Sequence, residues 1–179
     1  MKSESIKKAI KFAKIAHSGQ VRKYTGEPYV SHPIAVCRYL EIWHKESTED
    51  MLCAAILHDT VEDTEVTNFD IFTAFGGEVA SLVGWLTDVS CPEDGNRAAR
   101  KLKDRLHTGS APFEAQLIKC ADLIHNSESI IRHDQSFAKV YLKEKRLTLD
   151  LMSDKTKDSA IFAVASIICD ANNFKDNNQ

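Results

Sequence analysis

Nowhere in the 179 residues is there an uninterrupted apolar run long enough for a signal peptide or a membrane span. The opening Met1-Lys2-Ser3-Glu4-Ser5 leads straight into an amphipathic pattern, so the expected location is the cytoplasm, with no membrane partner. Positive charge is not in excess either. With 23 Lys and Arg against 26 Asp and Glu, the formal net charge is −3, which excludes the broad basic footprint of a nucleic-acid binder. An anionic ligand must therefore be met by local groups. No Cys-x-x-Cys pair occurs among Cys37, Cys53, Cys91, Cys120 and Cys169, which removes a zinc ribbon and leaves reduced thiols, with Cys53 and Cys120 as buried small hydrophobes. Also missing are an alternating β pattern of useful length, an internal repeat, a low-complexity segment and a dividing linker. The expectation is an all-α, single-domain chain over residues 1–174 with a polar tail at 175–179.

What is present is helical periodicity. Ile6, Ala9, Ile10, Ala13 and Ala16 predict a helix over residues 5–17, stopped by Ser18-Gly19. Gly26, Pro28 and Pro33 mark a loop and then a helix starting near Pro33. Thr48 is placed to cap the apolar run Leu52-Cys53-Ala54-Ala55-Ile56-Leu57. Asn68 is the expected cap of a short helix to Phe75, Gly76-Gly77 breaks it, and the period resumes over 79–89. Further helices are expected over 97–107, 112–133, 135–152 and 155–172, with a loop at 91–95.

Ionisable residues intrude on this pattern at three places. Leu57-His58-Asp59-Thr60-Val61-Glu62-Asp63-Thr64 puts an imidazole and three carboxylates at the end of an apolar helix, an expensive arrangement without a partner. Helical geometry would stack His58 over Glu62 and Asp59 over Asp63. Asp122 interrupts Lys119-Cys120-Ala121-Asp122-Leu123-Ile124-His125-Asn126, and His32 precedes Pro33. Taken singly, His32 is an ordinary helix-start residue and Asp122 a core carboxylate paired with Lys119 or Arg132. Taken jointly, two imidazoles and two carboxylates form a mixed nitrogen and oxygen site suited to Mn²⁺, Fe²⁺ or Zn²⁺.

These segments resemble the hydrolase domain of the RelA/SpoT alarmone enzymes, especially their single-domain relatives, the metazoan SpoT homologues. Residues 16–33, reading Ala-His-Ser-Gly-Gln-Val-Arg-Lys-Tyr-Thr-Gly-Glu-Pro-Tyr-Val-Ser-His-Pro, are similar to that family's opening motif. His58-Asp59-Thr60-Val61-Glu62-Asp63-Thr64 is similar to its central motif, and Asp122, His125 and Asn126 to its third. The resemblance covers residues 5–152 and implies an HD-type helical bundle that hydrolyses without synthesising. It implies His32, His58, Asp59 and Asp122 as ligands of a metal, commonly Mn²⁺, and Glu62 and Asp63 as the catalytic pair. It implies Arg22, Lys23, Lys119 and Asn126 as substrate contacts. The implied substrate is a small phosphorylated nucleotide, guanosine tetra- or pentaphosphate, whose 3′-diphosphate leaves as pyrophosphate after attack by a metal-activated water. A homo-oligomer is compatible with all of this.

Lys101-Leu102-Lys103-Asp104-Arg105-Leu106-His107 also looks like the third motif, but Asp104 lies in a basic pattern that reads as a solvated helix face, so Asp122 is preferred. One departure from the family is Asn126-Ser127-Glu128, where a hydrophobic residue and Arg usually follow. Two rival readings stand beside the first: a sibling phosphatase acting on another nucleotide such as NADPH, and a catalytically silent nucleotide-binding regulator. His17 reads as a packed structural histidine, and His44, His107 and His133 have no assigned role.

Overall fold

The computed structural model describes residues 3–171. Among them the chain is helical throughout, the one β feature being an isolated antiparallel bridge between Val21 and Pro28. Two compact units divide it, Met1–Thr87 and Asp88–Gln179.

In the first unit, α1 spans Glu4–Ala16, α2 Ser31–Trp43, α3 Glu49–Leu57, α4 Thr60–Asp63, α5 Asn68–Phe75 and α6 Gly77–Leu86. The centre is α3, packed by α1, α2 and α6. Its residues Met51 to Leu57 are all buried, as expected for a helix apolar on every side. Each large side chain there contributes roughly 1.5–3 kcal/mol by leaving water. Thr48 caps α3 by accepting from the Met51 N–H, as its position in the sequence suggests. The next cap falls one residue earlier than expected: Thr67 caps α5 in a reciprocal box with Asp70, and Asn68 is already helical. Asp70, three residues on, favours Thr67 by reaching back to its N–H and hydroxyl. Gly76, at φ 90°, joins α5 to α6, a conformation that needs glycine.

A larger departure is at the central motif. α3 stops at Leu57, His58 and Asp59 form a turn, and α4 restarts at Thr60. Thr60 helps break the helix by donating its hydroxyl to the Leu57 carbonyl at 2.7 Å, in competition with the backbone ladder.

In the second unit a 3₁₀ turn at Pro92–Asp94 precedes α7 (Arg97–Ser110), α8 (Phe113–His133), α9 (Gln135–Asp150), α10 (Asp154–Lys157) and α11 (Ala160–Ala171). The last expected helix is thus broken at Asp158-Ser159. Ser159 donates to the Thr156 carbonyl and accepts from the Phe162 N–H, ending one helix and capping the next. α8 packs against α9, α10 and α11. Gln116, fully buried, donates to the Thr108 and Gly109 carbonyls at 3.3 and 3.0 Å and accepts from Ser153 and Thr156. A satisfied buried amide of this kind fixes the register of three helices. The tail at 175–179 lies outside the described residues.

α7 overturns one expectation. Asp104 and Thr108 are buried while Leu102 and Leu106 are 49% and 54% exposed, so the polar face points inward. Asp104 is not on a solvated face. Its carboxylate accepts from the Ser90 N–H at 2.9 Å and the Ser90 hydroxyl at 3.0 Å, and meets Lys101 Nζ at 3.5 Å. Those donors outweigh the leucine stripe in setting the helix's rotation.

Candidate metal centre

In the first unit the turn between α3 and α4 brings three expected ligands together. Ligand atoms of His32, His58 and Asp59 all lie within 4.8 Å of one another. His32 comes from the first turn of α2, where Pro33 tolerates the absent hydrogen bond. Both imidazoles are 1% exposed, with ring centroids 5.2 Å apart. His58 Nε2 is 3.0 Å from Asp59 Oδ1 and His32 Nε2 is 3.4 Å from Asp59 Oδ2.

The donor set suits a cation. His58 Nδ1 lies 2.9 Å from the Ala55 carbonyl, which can only accept, so the proton sits on Nδ1. In the neutral imidazole Nε2 then turns a lone pair towards a carboxylate oxygen. That nitrogen and the carboxylate oxygen, 3.0 Å apart, are then a pair of ligand atoms that a divalent cation can share. The backbone-oriented histidine, with the ligating nitrogen directed by the bond at the other, is the usual support of a metal site.

Tyr29 escaped the sequence reading. Its hydroxyl donates to Asp59 Oδ2 at 2.7 Å, across 30 residues of chain. Partial burial and the neighbouring Asp59 and Asp63 charges push its pKa far up, so it stays a donor. The only signal for it was its place in the opening motif. Asp63 lies at the rim beside this group. Desolvation pushes its carboxyl above the ordinary range, the Asp59 charge adds to this, and Tyr29, His17 and His58 pull the other way. Glu62, the preceding residue, is exposed. Arg22 is half-buried with its guanidinium 5.7 Å from the Tyr29 ring centroid, whereas Lys23 is exposed and lies against Tyr24.

In the second unit Asp122, Lys119 and Asn126 sit on α8. Asp122 is 6% exposed, its Oδ1 accepting from Asn126 at 2.7 Å and its Oδ2 3.4 Å from Lys119 Nζ. The structure therefore joins Asn126 and Lys119 to Asp122 itself, each one turn away on the same helix.

Comparison with known proteins agrees with this chemistry. An HD-domain family matches residues 9–148. A Danio rerio guanosine-3′,5′-bis(diphosphate) 3′-pyrophosphohydrolase, MESH1, is 35% identical over 125 residues, covering 69% of this chain and 67% of that protein. A probable enzyme of the same name from Mycoplasma pneumoniae is 31% identical over 134 residues, 70% of this chain, and there the match spans only 18% of the longer protein. Among solved structures, a metazoan orthologue of SpoT that hydrolyses ppGpp is similar with a TM-score of 0.81 at 26% identity, covering 99% of this chain and 98% of the other. A histidine-rich centre on an all-helical frame, with relatives of this kind, places the chain in the HD-domain family, beside the MESH1 hydrolases.

Proposed function

We propose that this protein is a metal-dependent phosphohydrolase that removes the 3′-diphosphate of guanosine tetra- or pentaphosphate as pyrophosphate. The observation that carries the reading is the His32, His58 and Asp59 cluster, whose ligand atoms lie within 4.8 Å of one another while the other ring nitrogen of His58 is held by the Ala55 carbonyl. The names of the relatives supply the substrate. HD hydrolases depend on a divalent metal, and a divalent cation lowers the pKa of a coordinated water and offsets charge developing on the phosphate. Mn²⁺ is the proposed ion, in line with the donor set and the motif resemblance.

His32, His58 and Asp59 hold the ion, and Asp122 is proposed as the fourth ligand from its motif, with Asn126 and Lys119 orienting its carboxylate. Glu62 and Asp63 handle protons at the rim, and the raised pKa of Asp63 brings it nearer the working pH of a general acid or base. Arg22 and Lys23 neutralise the diphosphate locally, Arg22 from a position fixed by Tyr29. Residues 1–174 are proposed to act as one HD domain, since a single family match runs through both compact units.

The test is turnover of a panel of phosphorylated nucleotides with Mn²⁺, followed by chromatography. GDP and pyrophosphate from guanosine tetraphosphate are expected. Inorganic phosphate from NADPH with guanosine tetraphosphate untouched would transfer the assignment to another nucleotide, and no turnover of any would leave a silent binder.

A further inference from the structure

His17 is the C-cap of α1 and 3% exposed. Its surroundings fix its chemistry. Gln20 donates its side-chain amide nitrogen to the Asp63 backbone carbonyl at 2.8 Å, and a carbonyl can only accept. The amide oxygen of Gln20 must then face His17 Nδ1, 2.8 Å away, so Nδ1 carries the ring proton. In the neutral ring His17 Nε2 is left as a buried acceptor, and it has no hydrogen-bond partner. A histidine kept only for packing has no need of that cost.

Two further contacts connect this residue to the carboxylates. Its ring packs on Tyr29 with centroids 4.7 Å apart, and Tyr29 holds Asp59. The backbone carbonyl of Gln20 accepts from the Tyr29 N–H at 2.9 Å. Gln20 thus grips Tyr29 by its backbone and the Asp63 segment by its side chain, and His17 holds the Gln20 amide in the orientation that points its nitrogen at Asp63.

We propose that His17, acting through Gln20 and Tyr29, is a positioning residue that sets the geometry of Asp63 and Asp59, with its Nε2 accepting a hydrogen bond from a water at the site. This rests on the hydrolase reading above, and it replaces the structural role that the sequence pattern gave to His17. His17→Phe keeps the packing on Tyr29 but removes the donor to Gln20. His17→Asn keeps a donor near Nδ1.

The experiment has two arms. Nitrogen NMR of the resting wild-type protein reads the tautomer directly, whatever nucleotide is turned over: an Nδ1–H ring is expected, and an Nε2–H ring would overturn the proposal. Kinetics then compares the variants at measured metal content. His17→Phe should lower kcat roughly 10–100-fold with KM and bound metal within about twofold of wild type, as for other supporting residues around metal sites. Gln20→Leu should do the same, His17→Asn should recover most of the loss, and the double variant His17→Phe/Gln20→Leu should lose no more than the worse single one. Wild-type kcat in His17→Phe, or losses that multiply in the double variant, would show that no path through Gln20 exists. Should His17→Phe not fold, Gln20→Leu in its half-buried loop and the tautomer measurement carry the same decision.

Discussion

Asp59 in the first unit and Asp104 in the second are both low-exposure carboxylates, yet their neighbours differ in kind. Asp104 is met by donors: a backbone N–H, a hydroxyl and an ammonium. Asp59 accepts from the Tyr29 hydroxyl and lies beside the Nε2 atoms of His58 and His32, at 3.0 and 3.4 Å. The Ser90 segment, from outside α7, completes the Asp104 carboxylate within the protein, so Asp104 belongs to the structure. Asp59, set beside two imidazole nitrogens, completes a donor set that suits a cation.

The sharpest way to break this contrast is to remove the cation or a nitrogen ligand. Chelation, or His58→Ala, should abolish metal binding and reduce turnover by roughly 10³-fold or more, since water activation depends on the ion. Retained turnover in metal-free protein would end the account. Below this in magnitude are the rim carboxylates. Glu62→Gln or Asp63→Asn should retain metal and fold yet lose turnover by roughly 10²-fold for the residue that transfers the proton. Wild-type rates in both would refute the proposed proton handling.

Smaller again is the effect on substrate contacts. Arg22→Ala should raise KM by the worth of one charge-assisted bond, about 1.5–3 kcal/mol, and Lys23→Ala by less, because Lys23 is exposed and held against Tyr24 rather than Tyr29. Steady-state kinetics of the two single variants checks the order. Equal effects would mean that the Tyr29 stack does not position Arg22.

Much of this was legible in advance because motifs are local. The helices follow from apolar periodicity, and His32, His58 and Asp59 stand out as polar intrusions in apolar surroundings. What was hidden depends on partners far along the chain. Tyr29 acquires its role from Asp59, 30 residues away, and no periodicity marks such a pair. Asp104 acquires its burial from Ser90, 14 residues away, so a helix with basic residues all round it was read with the wrong face outward. The break at His58-Asp59 is a side-chain event, the Thr60 hydroxyl taking the Leu57 carbonyl. The stacking of His58 over Glu62 expected of one continuous helix did not allow for it.

The smallest expected effect lies on the donor-rich side of the comparison. The Lys103 ammonium, hydrogen-bonded to Asp94, holds that carboxyl down at about 2, below its ordinary 3.8, with the Cys91 N–H helping. A depressed folded value means that the contribution is full above the ordinary value and is lost as pH falls from there through about 2. Acid titration of stability should therefore be slightly shallower over that window in Asp94→Asn than in wild type. An unchanged slope would show that the Lys103 pair contributes nothing in solution, as many exposed pairs do.

The contrast itself is tested most directly by metal analysis of purified Asp59→Asn, Asp104→Asn and Asp122→Asn beside wild type, after equilibration with Mn²⁺. The account predicts that Asp59→Asn and Asp122→Asn lose the bound ion while Asp104→Asn keeps the wild-type content. Normal metal in Asp59→Asn, or loss of metal in Asp104→Asn, would contradict it.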